Sequence, residues 1–395
     1  MMKNEKKLLW LLVSYNSLFY VAAATFGPYI SVYYKDKGLT ITQIGLLSEV
    51  GALVALFIQP LWGIGADKYN KRKQFLLVAI TGAGMFVMSY RFATDFITFF
   101  VCVLLFSIFS SAIGPLGDTV VTDIAEKNSF KYSTIRMGGT VSYAAVVVLA
   151  GVYLRTNPKA SFILTALMYL IMLFTVLRMP DVYHRTKESQ QKRKLNRNNI
   201  WKVIKNKQIS FILVYLCIFQ IVLGCYGGYL SLLVTQMGYD NRMIGILMCI
   251  SAVSEIPILL NLDRIIRKFG TIKVMVFAGF MMVIRIFLPS MQSIEGIILA
   301  QMLQGVTYMI MYYCTVMYMV RNLELQLHST GQSLLCLVQA GIASLFSNVV
   351  GGYLCDRLGI IITYRLYGTL FMGVLILILL FFFYRRGKNE RIKDR

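Results

Sequence analysis

Three observations predict an all-α membrane protein of twelve transmembrane helices in two pseudo-symmetric six-helix bundles. The 395-residue chain is 57% hydrophobic and 15% charged, with a mean hydropathy of +0.65, more apolar surface than one soluble core can bury. Twelve apolar runs are each long enough to cross the hydrocarbon layer, which takes about 20 helical residues. Finally, a shift of 200 brings Ile44 onto Ile244, Gly45 onto Gly245, Leu47 onto Leu247, Ala52 onto Ala252, Lys68 onto Lys268 and Lys73 onto Lys273, as a duplicated unit would.

The runs begin near Leu8, Thr40, Gln74, Phe96, Thr134 and Ala160, then near Ile209, Arg242, Ile272, Gly296, Gly331 and Ile361. Helices are expected because lipid cannot satisfy irregular backbone, and the alternating pattern of a membrane barrel is absent. The first run follows Lys3, Lys6 and Lys7 but stays apolar to about Tyr34 without a small-residue cleavage site, so it reads as a retained helix. Pro28, Pro60, Pro115 and Pro257 fall inside spans, where kinks are expected. The only long polar stretch runs from Pro180 to Gln208. The predicted organisation is an N-terminal bundle over 1–179, a basic linker over 180–208 read as a solvated tether, a C-terminal bundle over 209–384 and a basic tail over 385–395.

A net charge of +22 raises nucleic acid as a partner, but most of the 40 Lys and Arg collect in the linker, the tails and loops of one side. This positive-inside asymmetry predicts a multi-pass protein of the cytoplasmic (inner) membrane with both termini cytoplasmic. Anionic lipid headgroups, not nucleic acid, are then the partner of the charge. The seven cysteines are odd in number and lack a C-x-x-C pair, so neither a disulfide framework nor a metal site is expected. His184 and His328 fall in loops, which leaves no histidine to relay protons within the membrane. No P-loop, nucleotide-binding glycine fingerprint or G-x-S-x-G is found, so neither an enzyme nor a cofactor is expected.

Between the second and third runs stand Gly63, Asp67, Lys68, Asn70, Lys71, Arg72 and Lys73. The glycine would let helices approach closely, and Asp67 beside Lys68, Arg72 and Lys73 would form a conformational latch. The pattern resembles the signature loop of the major facilitator superfamily, G-x-x-x-D-R/K-x-G-x-R/K-R/K, with Asn70 at the usual glycine. Asparagine tolerates the left-handed backbone, so the departure is mild. The second copy keeps Lys268, Phe269, Gly270 and Lys273 but has Arg267 for the aspartate, which makes the latch asymmetric. Within the superfamily, Phe26–Tyr34, Gln59–Lys73, Gly114–Lys127, Arg136–Tyr143 and Glu255–Arg285 resemble the lactose permease group of oligosaccharide, nucleoside and phenylpropionate symporters.

An ionisable side chain at mid-bilayer costs about 2.5–3.5 kcal/mol, which singles out Glu49, Asp118, Arg136, Glu255 and Arg285. Asp118 shares a polar stripe with Ser107, Ser111, Gly114 and Thr122, and Arg136 shares a helix face with Tyr143. The resemblance implies that Asp118, Arg136 and Tyr143 bind the solute. They stand for a glutamate, an arginine and a tryptophan of the permease, so galactoside specificity does not carry over. The alternative is an ion pair fixing spans four and five. The resemblance also makes Glu255 and Arg285, expected to pair, the proton-coupling residues; a static pair locking spans eight and nine is the alternative. A permease histidine and glutamate on span ten correspond to Gln304 and Thr307, and two of its aspartate–lysine pairs to Gly224, Gly227, Val338 and Gln301, so coupling must rest on Glu255, Asp118 or Glu49. Glu49 has no counterpart, and helix pairing and an outer vestibule are both open to it.

Gln301, Gln304, Tyr308, Tyr312 and Thr315 recur along span ten, with Gln332 and Gln339 on span eleven. Amides and phenols on one face suit hydroxyl-rich or planar aromatic ligands, which makes Gln304, Tyr308 and Gln339 substrate-binding candidates, with plain helix packing the alternative. The function expected is secondary active transport of a small organic solute (sugar, nucleoside or aromatic acid) by a monomer, through alternating access and proton symport. Proton-antiport efflux of drugs or metabolites and a non-transporting membrane sensor are the rivals.

Overall fold

The computed structural model describes residues 3–181, 197–324 and 327–393, and among these every regular element is helical. The first half comprises α1 (Lys3–Asp36), α2 (Ile41–Tyr69), α3 (Arg72–Val87), α4 (Phe96–Lys127), α5 (Tyr132–Leu154) and α6 (Ala160–Leu177). After a short α7 (Arg197–Lys205) come α8 (Lys207–Gln236), α9 (Asn241–Phe269) and α10 (Thr271–Phe287). Span ten is α11 (Ile294–Met302), a π-helical turn Gly305–Met309 and α12 (Ile310–Asn322). Span eleven is α13 (His328–Cys336), π-helical Leu337–Ala343 and Phe346–Val350, and α14 (Gly351–Leu358); α15 (Ile360–Lys393) ends the chain. Twelve stretches are long and apolar enough to cross a membrane, and each starts within three residues of the predicted position.

Local chemistry sets the helix boundaries. Thr40 and Gln43 form a capping box at α2, with bonds of 3.2 and 2.9 Å, and Asp95 caps α4 by accepting from Ile97 and Thr98 at 3.0 and 3.1 Å. The 200-residue repeat is visible in the turns. Gly38 and Gly238 have φ of 84° and 86°, and Asn70 and Gly270, at equivalent places, share positive φ (53° and 85°) but differ in ψ, 41° at the left-handed Asn70 and 148° at Gly270. Asn70 therefore does the glycine's backbone work at the signature turn.

Helix extends into both segments predicted outside the spans. Within 180–208, residues 197–205 form α7, with Val203 buried; residues 182–196, including His184, lie outside the described residues. The basic tail over 385–395 is continuous with α15 as far as Lys393.

The chain divides into two compact units. The first takes Met1–Leu195 with Gly228–Val253 and Asn348–Tyr353. Its core is aromatic: Tyr90 stacks on Phe162 at 5.6 Å, and Phe26 meets the edge of Tyr90 at 5.4 Å. The far ends of α8, α9 and span eleven pack here on the N-terminal helices. Asn241 Nδ2 donates to Leu154 O at 3.1 Å, Arg155 pairs with Asp240 at 2.9 Å, and Tyr229 Oη donates to Asn348 O. A Cβ on Gly45 would strike Asn348 O, and one on Gly245 would strike Val147 O. These repeat-related glycines thus allow backbone-to-backbone approach.

The second unit takes Asn196–Gly227, Ser254–Ser347 and Leu354–Arg395. Tyr215 stacks on Phe371 at 6.3 Å, and Tyr364 Oη donates to Tyr226 O at 2.7 Å, tying α15 to α8. A π turn places one extra residue in its cycle and so rotates the helix beyond it. The single polar face expected along span ten does not form: Gln301 and Thr315 are 2% and 1% exposed, Tyr312 is 48% exposed, and Gln304 and Tyr308 are intermediate.

Candidate functional site

The signature turn is a four-helix tie within the first unit. Arg72, opening α3, donates to Asp67 Oδ1 of α2 at 2.8 Å and to Asp123 Oδ2 of α4 at 2.7 Å. Lys73 reaches the C-terminal carbonyls after α6, Met179 O at 2.6 Å and Leu177 O at 3.3 Å, and pairs with Asp181 at 3.5 Å. A cation there complements the helix dipole. Lys68 Nζ lies over the Tyr69 ring, 5.5 Å from its centre. The close-approach role expected of Gly63 is not found, because a Cβ there meets nothing within 4 Å; Gly65, facing Phe75 at 2.7 Å, is the tight position.

Asp118 and Arg136 communicate through a third residue. Tyr132 Oη donates to Asp118 Oδ1 at 2.8 Å, and Arg136 on the next turn of α5 interacts with Tyr132, Tyr20 and the Asp118 charge. The expected acid–guanidinium relation is thus carried by a phenol. Asp118 and Arg136 are both exposed, while Tyr143 is half-buried and interacts with Tyr29. Tyr132 stands four residues before Arg136, a helical neighbour that spacing could have found; Asp123, five residues beyond Asp118, lies on another face of α4.

Glu49 is 4% exposed and accepts a bond from Asn348 Nδ2 at 3.3 Å. Of its two readings, the structure matches helix pairing. The partner lies 299 residues away, beyond the reach of local pattern.

In the second unit, Gln304 Nε2 donates to Glu255 Oε1 at 3.0 Å. Arg285, expected to pair with Glu255, is held by neutral side chains. Its Nη1 donates to Thr307 Oγ1 at 2.7 Å, and the Thr307 hydroxyl turns to main-chain carbonyls of the preceding turn, Leu303 O at 2.8 Å and Gln304 O at 3.2 Å. Arg285, 2% exposed, also donates from Nη2 to Gln301 Oε1 at 3.2 Å, and its Nε makes no hydrogen bond. Its guanidinium stands 4.4 Å over the Tyr226 ring, whose hydroxyl donates to Gln301 Oε1 at 3.0 Å. The Glu255 charge acts on Arg285 across this set. The π turn explains the geometry: a Cβ on Gly305 would strike Ser254 O, so α9 and span ten cross closely beside Glu255. Tyr308 stacks on Tyr312 at 6.0 Å, and half-buried Gln339 lies within the π segment of span eleven. Glu255, Arg285, Gln304 and Thr307 are brought together; Asp118, Arg136 and Tyr132 form the other polar group.

Twelve apolar spans carrying acids, guanidinium groups and amides define a polytopic membrane carrier. The chain belongs to the MFS_1 like family, whose model matches residues 9–366. It is 26% identical over 351 residues to the uncharacterized transporter YwbF of Bacillus subtilis strain 168, covering 87% of this chain and 86% of that protein. It is also 26% identical over 382 residues to the maltose permease of Geobacillus stearothermophilus, covering 95% and 94%. A crystal structure of a single-site mutant of the nucleoside transporter NupG superposes with a TM-score of 0.82 at 14% identity, covering 95% of this chain and 99% of that one, and so shares the fold. The protein is a multi-pass membrane transporter and not an enzyme.

Proposed function

We propose that the chain is a monomeric secondary active transporter that takes up a small organic solute, a sugar, nucleoside or aromatic acid, by proton symport with alternating access. The observation that carries this reading is the polar group in which Gln304 holds Glu255, Thr307 and Gln301 hold Arg285, and the Glu255 charge acts on the guanidinium. A carboxylate in a membrane span that shares a polar network with a buried guanidinium exchanges its proton as hydration and pairing change. Protonation of Glu255 weakens its hold on Gln304 and removes the negative charge that acts on Arg285. Asp118, Tyr132 and Arg136 present an acceptor and donors to a hydroxyl-bearing or carboxylate solute, with Tyr143, Tyr308, Gln304 and Gln339 as further contacts. The maltose permease and nucleoside transporter named above support a polar organic solute of this size.

In this reading the bundles 1–179 and 209–384 rock against each other, with the linker 180–208, the tail 385–395 and both termini in the cytoplasm of an inner membrane. The packing around Glu49, Asn348 and Gly45 is the extracellular closure, and Glu49 is a second proton-coupling candidate. Asp67, Arg72 and Lys73, with Lys68 beside them, form the cytoplasmic latch; Gly63 lies one turn before Asp67 on α2 and makes no close approach. Purified protein should be screened by thermal shift against sugars, nucleosides and aromatic acids at two pH values. A stabilising solute that then accumulates in proteoliposomes under an inward proton gradient supports symport; accumulation only under an outward gradient supports antiport and contradicts it.

A further inference from the structure

The short helix before span seven has an apolar face that protein covers only in part. In α7 the register places Val203, Ile204 and Trp201 on one half of the helical wheel, with Lys202 and Lys205 on the other. Val203 is fully buried, and α7 packs on α13. Trp201 and Ile204, by contrast, are 53% and 42% exposed. Only Asn206 separates α7 from α8; its Oδ1 accepts from Gln208 N at 3.1 Å and caps the span that begins at Lys207. The exposed apolar strip of Trp201 and Ile204 therefore lies within two helical turns of a membrane-spanning segment. Lys202, Lys205 and Lys207 are all exposed around it, and the preceding linker adds Arg185, Lys187, Lys192, Arg193 and Lys194.

We propose that α7 is a membrane-surface helix that binds anionic phospholipid, with Trp201 and Ile204 seated among the headgroups and Lys202 and Lys205 on their phosphates. An amphipathic indole beside an aliphatic side chain is the composition that partitions to this interface. Exposed lysines add an attraction that depends on lipid charge and on salt. A protein partner fits less well, because the strip adjoins the bilayer and its border is of one charge sign. Because α7 packs on α13 and leads into α8, a lipid hold on it bears on spans seven and eleven together. That the lipid belongs to the cytoplasmic leaflet rests on the topology proposed above.

The test is tryptophan quenching in proteoliposomes of the full chain, with the Trp201 signal taken as wild type minus Trp201→Phe. Bilayers with the same composition in both leaflets keep the result independent of which face carries α7, and topology is read separately by cysteine labelling from outside. Shallow-brominated phosphatidylcholine should quench Trp201, and more strongly when phosphatidylglycerol is present. Lys202→Gln and Lys205→Gln should each lower the docked-to-undocked ratio about fivefold, while Lys202→Arg with Lys205→Arg should restore it. Quenching of Trp201 by aqueous iodide but not by lipid overturns the proposal, as does shielding from both. Lipid quenching that ignores phosphatidylglycerol and both lysines also overturns it, since the helix would then hold no anionic lipid.

Discussion

The guanidinium of Arg285 lies 4.4 Å from the centre of the Tyr226 ring, and both side chains are buried. A charge so placed is held by a π face, an amide and a hydroxyl, and the Glu255 charge acts on it as well.

Tyr226→Phe should cost about 1 kcal/mol, the value of one neutral hydrogen bond, because the ring under Arg285 remains. Tyr226→Leu should cost about 2 kcal/mol more by removing the cation–π contact. Thermal unfolding in detergent compares the two, and equal losses would remove the ring from the account.

Tyr132→Phe should weaken solute binding about tenfold, since a hydrogen bond to a charged group contributes about 1.5–3 kcal/mol, with little change in unfolding temperature. Asp118→Asn should act in the same direction. Binding titrations beside thermal scans decide the matter: unchanged affinity with lowered stability would make the pair structural.

Arg72 bridges two unequal partners, Asp123 at 15% side-chain exposure and Asp67 at 62%. Exposed ion pairs are worth about 0–1 kcal/mol, so Asp123→Asn should destabilise more than Asp67→Asn. Asp67→Lys should slow turnover while leaving solute affinity near its original value. Transport kinetics with matched binding data check this, and an unaffected rate would end the latch reading.

Gly45→Val would press on the Asn348 carbonyl, whereas Gly63→Ala meets open space. Overpacking of about 1–3 kcal/mol should separate α2 from the 348–353 segment and raise maleimide labelling of a Thr42→Cys reporter roughly tenfold. Gly63→Ala should be neutral, or stabilising by up to about 1 kcal/mol through helix propensity. Equal labelling in both backgrounds would contradict the packing described around Gly45.

The spans were legible because hydropathy acts residue by residue, and their starts agree closely with the structure. The signature turn was legible too, down to the left-handed Asn70. The role of its first glycine was not, since steric neighbours depend on tertiary packing: Gly63 faces space and Gly65 faces Phe75. The polar face of span ten failed because a 3.6-residue period cannot anticipate the π turn at Gly305–Met309. Asp118, Arg136, Glu255 and Arg285 stood out by charge alone; Gln304 and Thr307 were in view on span ten, but which charged group each neutral side chain contacts, Tyr132 included, depends on tertiary packing.

Glu255, hydrogen-bonded to Gln304 and acting by its charge on Arg285, is the proposed site of coupling-proton exchange. The direct measurement is solute-driven proton movement in proteoliposomes, followed with an external pH electrode for wild type and Glu255→Gln, using whichever solute the thermal screen identifies. The account predicts external alkalinisation on adding solute to wild type, and none with Glu255→Gln although solute exchange persists. Undiminished alkalinisation in the variant would contradict it.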